Sequence, residues 1–152
     1  MNGWLSLETL NSTNAETSRT TDPNFPYETD PDDHCESPLE AYKDIVALLQ
    51  NHAGQLYGKT PAAQQKLAIY DPYYCNGRVV SHLENLGFPN VYNCMEDCYQ
   101  VWQDSARYPK YNILMTNPPY SGDHVEKLLT HVTSKQVANK PWMLLMVCHE
   151  HE

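Results

Sequence analysis

The sequence predicts a parallel, three-layer α/β sandwich, and three observations predict it. Short apolar runs at Leu67-Ala68-Ile69-Tyr70, Val91-Tyr92 and Ile113-Leu114-Met115 alternate with stretches whose apolar residues recur at helical spacing. Turn-forming residues follow two of these runs directly: Asp71-Pro72 after the first and Asn117-Pro118-Pro119-Tyr120 after the third. A near-continuous apolar run over Pro141 to Cys148 reads as a strand buried on both sides, as parallel sheets require.

The elements follow in order. Residues 1 to 36 are rich in Thr, Asn, Ser, Asp and Pro and read as a largely disordered acidic and polar arm, with Trp4-Leu5 and Leu7 as a short docking patch. The folded domain is expected over residues 37 to 152. Ser37-Pro38-Leu39-Glu40 is a helix start in which Ser37 caps, Pro38 takes the first helical position and Glu40 closes a capping box. Tyr42, Ile45, Val46 and Leu49 then share a face, and Gly54, Gly58 and Pro61 end the helix. After the strand Leu67 to Tyr70 and its loop, Val79, Val80, Leu83 and Leu86 form the buried face of a helix that Gly87 terminates. Val91-Tyr92 begins a second strand. Glu96 and Asp97 suit the positive end of a helix running through Tyr99 to Trp102. Asp123 caps the next helix with Glu126 three residues on, and Val125, Leu128, Leu129 and Val132 form its buried face.

Bulk properties bound the function. A chain of 152 residues holds one domain with a modest core. With 10 Lys+Arg against 19 Asp+Glu, the net charge of −9 argues against long-range attraction to phosphates, so a nucleic-acid substrate would need a partner or a further segment to help hold it. Five cysteines form no regular framework. Cys94 and Cys98 read as two sides of a helical turn or a strand end, and Val101 stands where an iron–sulfur motif would need a third cysteine. His34 reads as a loop residue and His149-Glu150-His151-Glu152 as a frayed terminus, neither as a metal site. Neither a signal peptide nor a membrane-spanning run is present, so the expected setting is cytoplasmic or nuclear, with reduced thiols.

Asn117-Pro118-Pro119-Tyr120 is the most informative stretch. Average residue usage gives this tetrapeptide by chance in on the order of one chain in a few thousand of this length, so its place after an apolar run carries weight. Two consecutive prolines supply no backbone N–H. The oxygens of Asn117 and Pro118 are therefore left to accept hydrogen bonds from an exocyclic amine, and Tyr120 can stack on the plane that bears it. The plainer alternative is a rigid strand-to-helix turn that Asn117 closes.

In that position the tetrapeptide resembles motif IV of the amino methyltransferases that use S-adenosyl-L-methionine, enzymes that modify adenine N6, cytosine N4 or a glutamine amide. Asp71-Pro72-Tyr73-Tyr74-Cys75-Asn76-Gly77 is similar to the family's Asp-Pro-x-x-Gly-x-Gly cofactor loop, and departs from it where Cys75 replaces the middle glycine. The resemblance implies a Rossmann-like fold, S-adenosylmethionine as cofactor, and Asp71, Pro72, Tyr73, Asn76 and Gly77 around it. The stretch from Tyr27 to Pro38 is similar to the segment before the first helix in some adenine methyltransferases, which implies Tyr27 and Thr29 at the methionine end of the cofactor; otherwise it is an acidic linker. Glu96 and Asp97 match the family's acids for the ribose or the adenine, or else only start a helix. Asn117, Pro118, Pro119 and Tyr120 would be catalytic.

The family sheet has roughly seven strands and this chain supplies about four, so the domain is expected to be incomplete at its C-terminal edge, with a protein partner able to complete the sheet. The function so implied is N6-adenine-type methylation of a DNA or RNA base. A glutamine methyltransferase and an inactive methyltransferase-like scaffold remain the alternatives, the first favoured by the acidic charge and the second by the missing strands and Cys75.

Overall fold

A computed structural model of the chain describes residues 25–26, 33 and 36–146. Its elements run α1 (Leu39–Tyr57), α2 (Pro61–Lys66), β1 (Ile69–Tyr70), α3 (Arg78–Asn85), β2 (Val91–Tyr92), α4 (Cys98–Gln103), β3 (Ile113–Thr116), α5 (His124–Val132) and β4 (Trp142–Leu144). The four strands form one sheet in the order β2-β1-β3-β4, every neighbouring pair parallel. This is the α/β, Rossmann-like class, with a small sheet.

Strand alternation divides the core in two. Ile69, Ile113 and Met115 point to one side, where they meet Tyr42, Leu49 and Ala53 of α1, Ala63 of α2, and Val79 and Leu83 of α3. Tyr70 and Leu114 point to the other side, against Cys98 and Trp102 of α4 and Leu128 and Val132 of α5. Helices therefore cover both faces. Crossovers of one hand require this: the chain steps from β1 outward to β2 through α3, then reverses across β1 to β3 and β4 through α4 and α5. The reversal falls between β1 and β3.

Several expected details are corrected by the fold. Ser37 does not cap α1; Pro38 holds the N-cap position, with no side-chain cap bond. The helix runs through Gly54 and stops at Gly58, whose φ of 87° ends it. Pro61 does not simply close that helix but opens α2, where its missing N–H costs nothing at the first helical position. As a result β1 is shorter than Leu67 to Tyr70, because Leu67 caps α2. Asp123 makes no cap bond to α5 and instead pairs with Lys127 at 2.9 Å. The buried face of α5 is Leu128, His131 and Val132, while Leu129 is exposed. His131 turns inward because its ring stacks on Trp102 with centroids 3.9 Å apart and planes nearly parallel, and it meets the Tyr108 hydroxyl at 2.9 Å.

The run from Pro141 to Cys148 is also corrected. Only Trp142–Leu144 form a strand, and β4 lies at the sheet edge among the described residues, with Trp142 41% exposed and Met146 67% exposed. Val147 and Cys148, like His34 and His149 to Glu152, lie outside the described residues. Other expectations hold. Val79 and Leu83 are buried in α3, Val80 and Leu86 pack against the same core, and Gly87 follows with φ of 93°.

Asp97 begins α4 as its N-cap, its carboxylate accepting from the N–H groups of Tyr99 (2.9 Å) and Gln100 (3.4 Å). Replacing Asp97 with alanine is expected to lower unfolding stability by about 1 kcal/mol in a urea titration, the usual worth of an N-cap. No change would mean that α4 is held by Trp102 and its neighbours alone.

Candidate functional site

Parallel sheets present their ligand crevice at the carboxyl ends of the strands where the strand order reverses. Here that point lies between Asp71, which follows β1, and Asn117, which follows β3. Both residues line one cavity of about 30 Å³, together with Glu36, Tyr73, Gly77 and Asn93.

Asp71 is only 8% exposed. Its Oδ1 accepts from the Thr116 hydroxyl at 2.5 Å, the last residue of β3, and from Tyr73 N–H at 3.3 Å. Burial pushes its carboxyl up to about 7; the two hydrogen bonds pull it back down, and nearby Glu36 adds to the rise. Pro72 is buried behind the loop. Asn93, just past β2, donates from Nδ2 to the Asp71 carbonyl at 3.1 Å and the Tyr73 carbonyl at 3.3 Å, which fixes the loop. That orientation leaves Asn93 Oδ1 buried without a donor.

At the far end of the loop, Gly77 has φ of 75°, and a Cβ there would lie 3.0 Å from the Tyr74 ring. Both the backbone and the space demand glycine. The N–H groups of Asn76 and Arg78, at the start of α3, point at Glu36, whose Oε1 accepts from them at 2.6 and 3.4 Å.

Of the Asn-Pro-Pro-Tyr loop, Asn117 lines the cavity, and Pro118, Pro119 and Tyr120 follow outside its lining. Among the described residues no backbone N–H donates to the Asn117 or Pro118 carbonyl oxygen. The Asn117 side-chain oxygen, expected from the prolines to be left open, instead accepts from the Tyr120 hydroxyl at 2.6 Å. One lone pair remains on it, because a carbonyl oxygen accepts two bonds. Pro118 is buried, Pro119 half-buried, and the Tyr120 ring is 48% exposed.

Three further contacts tie the two loops together. Tyr73 donates to the His124 carbonyl at 3.3 Å, and its hydroxyl lies 3.2 Å from that of Tyr99. The Tyr99 hydroxyl in turn lies 2.5 Å from His124 Nδ1. Burial raises the Tyr73 and Tyr99 hydroxyls well above the ordinary tyrosine range, so both stay protonated. From the arm, Asp33 accepts from the Ser121 N–H at 3.2 Å and from the Ser121 hydroxyl, one residue past Tyr120.

The residues expected from sequence therefore divide. Asp71, Tyr73, Gly77 and Asn117 meet in the cavity. Asn76 contributes its backbone N–H, while its side chain is exposed. Glu96 takes the Tyr92 hydroxyl at 2.7 Å and Arg107 at 3.1 Å, and Asp97 caps α4; neither lines the cavity. Tyr27 and Thr29 lie outside the described residues. Glu36, Asn93 and Thr116 were not singled out by the sequence. The only signal for Asn93 was its place directly after a strand, a position that in parallel sheets faces the ligand crevice. Among the described residues no group of three or more His, Cys, Asp or Glu is placed to hold a metal ion, and no helix is long and apolar enough to cross a membrane.

No protein-family model, curated protein or solved structure matches this chain.

Proposed function

We propose that this chain is an S-adenosylmethionine-dependent N-methyltransferase acting on an exocyclic amine of a nucleic-acid base, of the N6-adenine type. One observation carries the reading. Asp71, Tyr73, Cys75 and Gly77 of the first loop and Asn117 at the head of the second, far apart in sequence, line one cavity at the strand reversal. The donor set suits the cofactor's amino-acid end: Asp71 and the orphaned Asn93 Oδ1 are acceptors for an ammonium, and the N–H groups at the start of α3 are donors for a carboxylate.

When bound, S-adenosylmethionine supplies a methyl group already activated on a sulfonium. The chain's residues supply alignment and charge. The Asn117 side-chain oxygen and the Pro118 carbonyl accept the two protons of the target amine. This favours a pyramidal nitrogen and stabilises the positive charge that grows on it during transfer. The exposed Tyr120 ring stacks on the base and fixes the line of approach. The Tyr120 hydroxyl orients the Asn117 amide, and Tyr73 with Tyr99 and His124 holds the two loops in register.

The acidic charge supports a glutamine amide as the second reading, because phosphates gain nothing from a surface of net charge −9. Incubating the chain with methyl-tritiated cofactor and separate DNA, RNA and protein pools distinguishes the two. The expected product is labelled N6-methyladenine in nucleic acid. Label in protein glutamine would move the assignment to the second reading, and no label in any pool from a folded chain would contradict an enzyme.

A further inference from the structure

The cavity at the strand reversal holds about 30 Å³, room for roughly one water. No metabolite with an amino-acid end enters a space of that size without moving a wall. Much of its lining is fixed by the fold: Asp71 on Thr116, Asn93 on the Asp71 and Tyr73 carbonyls, Asn117 at the end of β3, and Tyr42 of α1 and Val79 of α3 in the core. Another lining residue is Glu36, which precedes α1 and reaches across to the start of α3. Its attachment is exposed to solvent and made by one carboxylate oxygen.

That oxygen occupies a position with chemical meaning. The N–H groups of Asn76 and Arg78 flank Gly77, the N-cap of the eight-residue helix α3, at the positive end of its dipole. They accommodate a carboxylate, and they already hold one. Asn93, a second lining residue, has its Oδ1 sealed from solvent and without a donor. The site thus holds donors filled by the chain's own carboxylate and, on Asn93, an acceptor without a donor.

We propose that Glu36 is a built-in competitor, its carboxylate occupying the ligand-carboxylate position at the start of α3 and closing the cavity until a ligand displaces it. That the ligand carries a carboxylate rests on the reading of the cavity as a site for S-adenosylmethionine. Displacement exchanges one charge-assisted hydrogen-bonded carboxylate for another, so the ligand's affinity is reduced by the strength of the Glu36 contact. Asp33 makes a parallel contact on the other loop, its carboxylate on the Ser121 N–H and hydroxyl, so the stretch leading into α1 is fastened to both sides of the site. Among the described residues, moving Glu36 breaks only its bonds to the Asn76 and Arg78 N–H groups and none of the sheet.

The test uses the full chain, its E36Q and E36A variants, and three probes. Acetate is titrated first, with the amide resonances of Asn76 and Arg78 observed by NMR. The wild-type amides are expected to stay silent and those of E36A to shift saturably. Next, S-adenosylhomocysteine, which has the amino-acid end, is compared with 5′-methylthioadenosine, which lacks it. E36Q and E36A are expected to bind the first about tenfold more tightly than wild type, the scale of an exposed charge-assisted contact, and the second unchanged. Equal affinity of wild type and variants for S-adenosylhomocysteine would overturn the proposal. So would an equal gain for 5′-methylthioadenosine, or acetate that leaves the E36A amides unmoved. If acetate shifts the E36A amides while no protein binds either nucleoside, Glu36 stands as the internal ligand and the cofactor reading falls. Matching far-ultraviolet spectra and unfolding midpoints of the three proteins separate a lost contact from a lost fold.

Discussion

Replacing Asn117 with alanine is expected to slow methyl transfer by about 10²- to 10³-fold while changing cofactor affinity by no more than a few-fold. The magnitude follows from removing one preorganised dipole aimed at charge that develops only in the transition state. The asymmetry between turnover and binding follows from the roles proposed for the two segments. Asn117 belongs to the loop after β3, whereas the groups suited to the cofactor's amino-acid end, Asp71, Asn93 and the N–H groups at the start of α3, belong to other segments. Loss of Asn117 also removes the partner of the Tyr120 hydroxyl. A Tyr120→Phe variant, which keeps the ring and loses only that bond, is the control. It retains most of the turnover if the Asn117 oxygen itself is what the amine needs. Single-turnover rates with labelled cofactor, set beside its dissociation constants, check both parts. Equal loss of binding and turnover in Asn117→Ala would assign Asn117 to holding the loop together.

The second large effect concerns stability and pH, and it arises from Asp71. Its carboxyl is raised from the ordinary 3.8 to about 7, chiefly by burial. Well below the ordinary value of 3.8 the group is neutral in folded and unfolded chains alike, and its contribution to stability is fully present. As pH rises, the unfolded chain ionises first, so the folded state loses roughly 1.4 kcal/mol per pH unit until its own carboxyl ionises near pH 7. The expected loss is on the order of a few kcal/mol, concentrated between about pH 4 and 7. His131 acts in the opposite direction. Burial lowers its imidazole to about 4, so stability is lost as pH falls from 6.5 toward that value. The two slopes oppose each other over much of the same range and partly cancel in the wild-type curve. The difference between wild type and Asp71→Asn isolates the first. Asparagine keeps an acceptor for the Thr116 hydroxyl and carries no charge at any pH. Urea titrations from pH 4 to 8 should show Asp71→Asn gaining on wild type steadily up to pH 7. Parallel curves would mean that the Asp71 carboxyl is solvated in the folded chain.

Much of this arrangement could be read from the sequence because it is local. Apolar runs of strand length alternate with helical periodicity, which dictates helices on both faces of a parallel sheet. The two loops announce themselves because proline and glycine punctuate them directly after strands. What escaped the sequence is what depends on distant partners. Asn93 matters because its side chain reaches back to the Asp71 and Tyr73 carbonyls, and Glu36 because it crosses to α3. No spacing encodes either contact. Pro61 read as a stop because proline is favoured both after a helix and at the start of one. The run from Pro141 to Cys148 read as a strand buried on both sides because apolar letters do not show how much of a strand its neighbours cover, while its place at the sheet edge agrees with the expected incomplete C-terminal edge. On α5, Leu129 and His131 exchange roles because a stack on Trp102 outweighs the hydropathy of the two residues. Glu96 and Asp97 were left undivided between ligand and helix start. Asp97 caps α4, and Glu96 joins Tyr92 and Arg107.

The central claim is that the loops at Asp71 and Asn117 make one cofactor site. Calorimetric titration of the chain with S-adenosylmethionine and with S-adenosylhomocysteine tests it most directly. Saturable binding of both at micromolar levels, weakened by Asp71→Asn and retained in Asn117→Ala, is the predicted result. A folded chain that takes up neither compound, as wild type or as E36A, would contradict it.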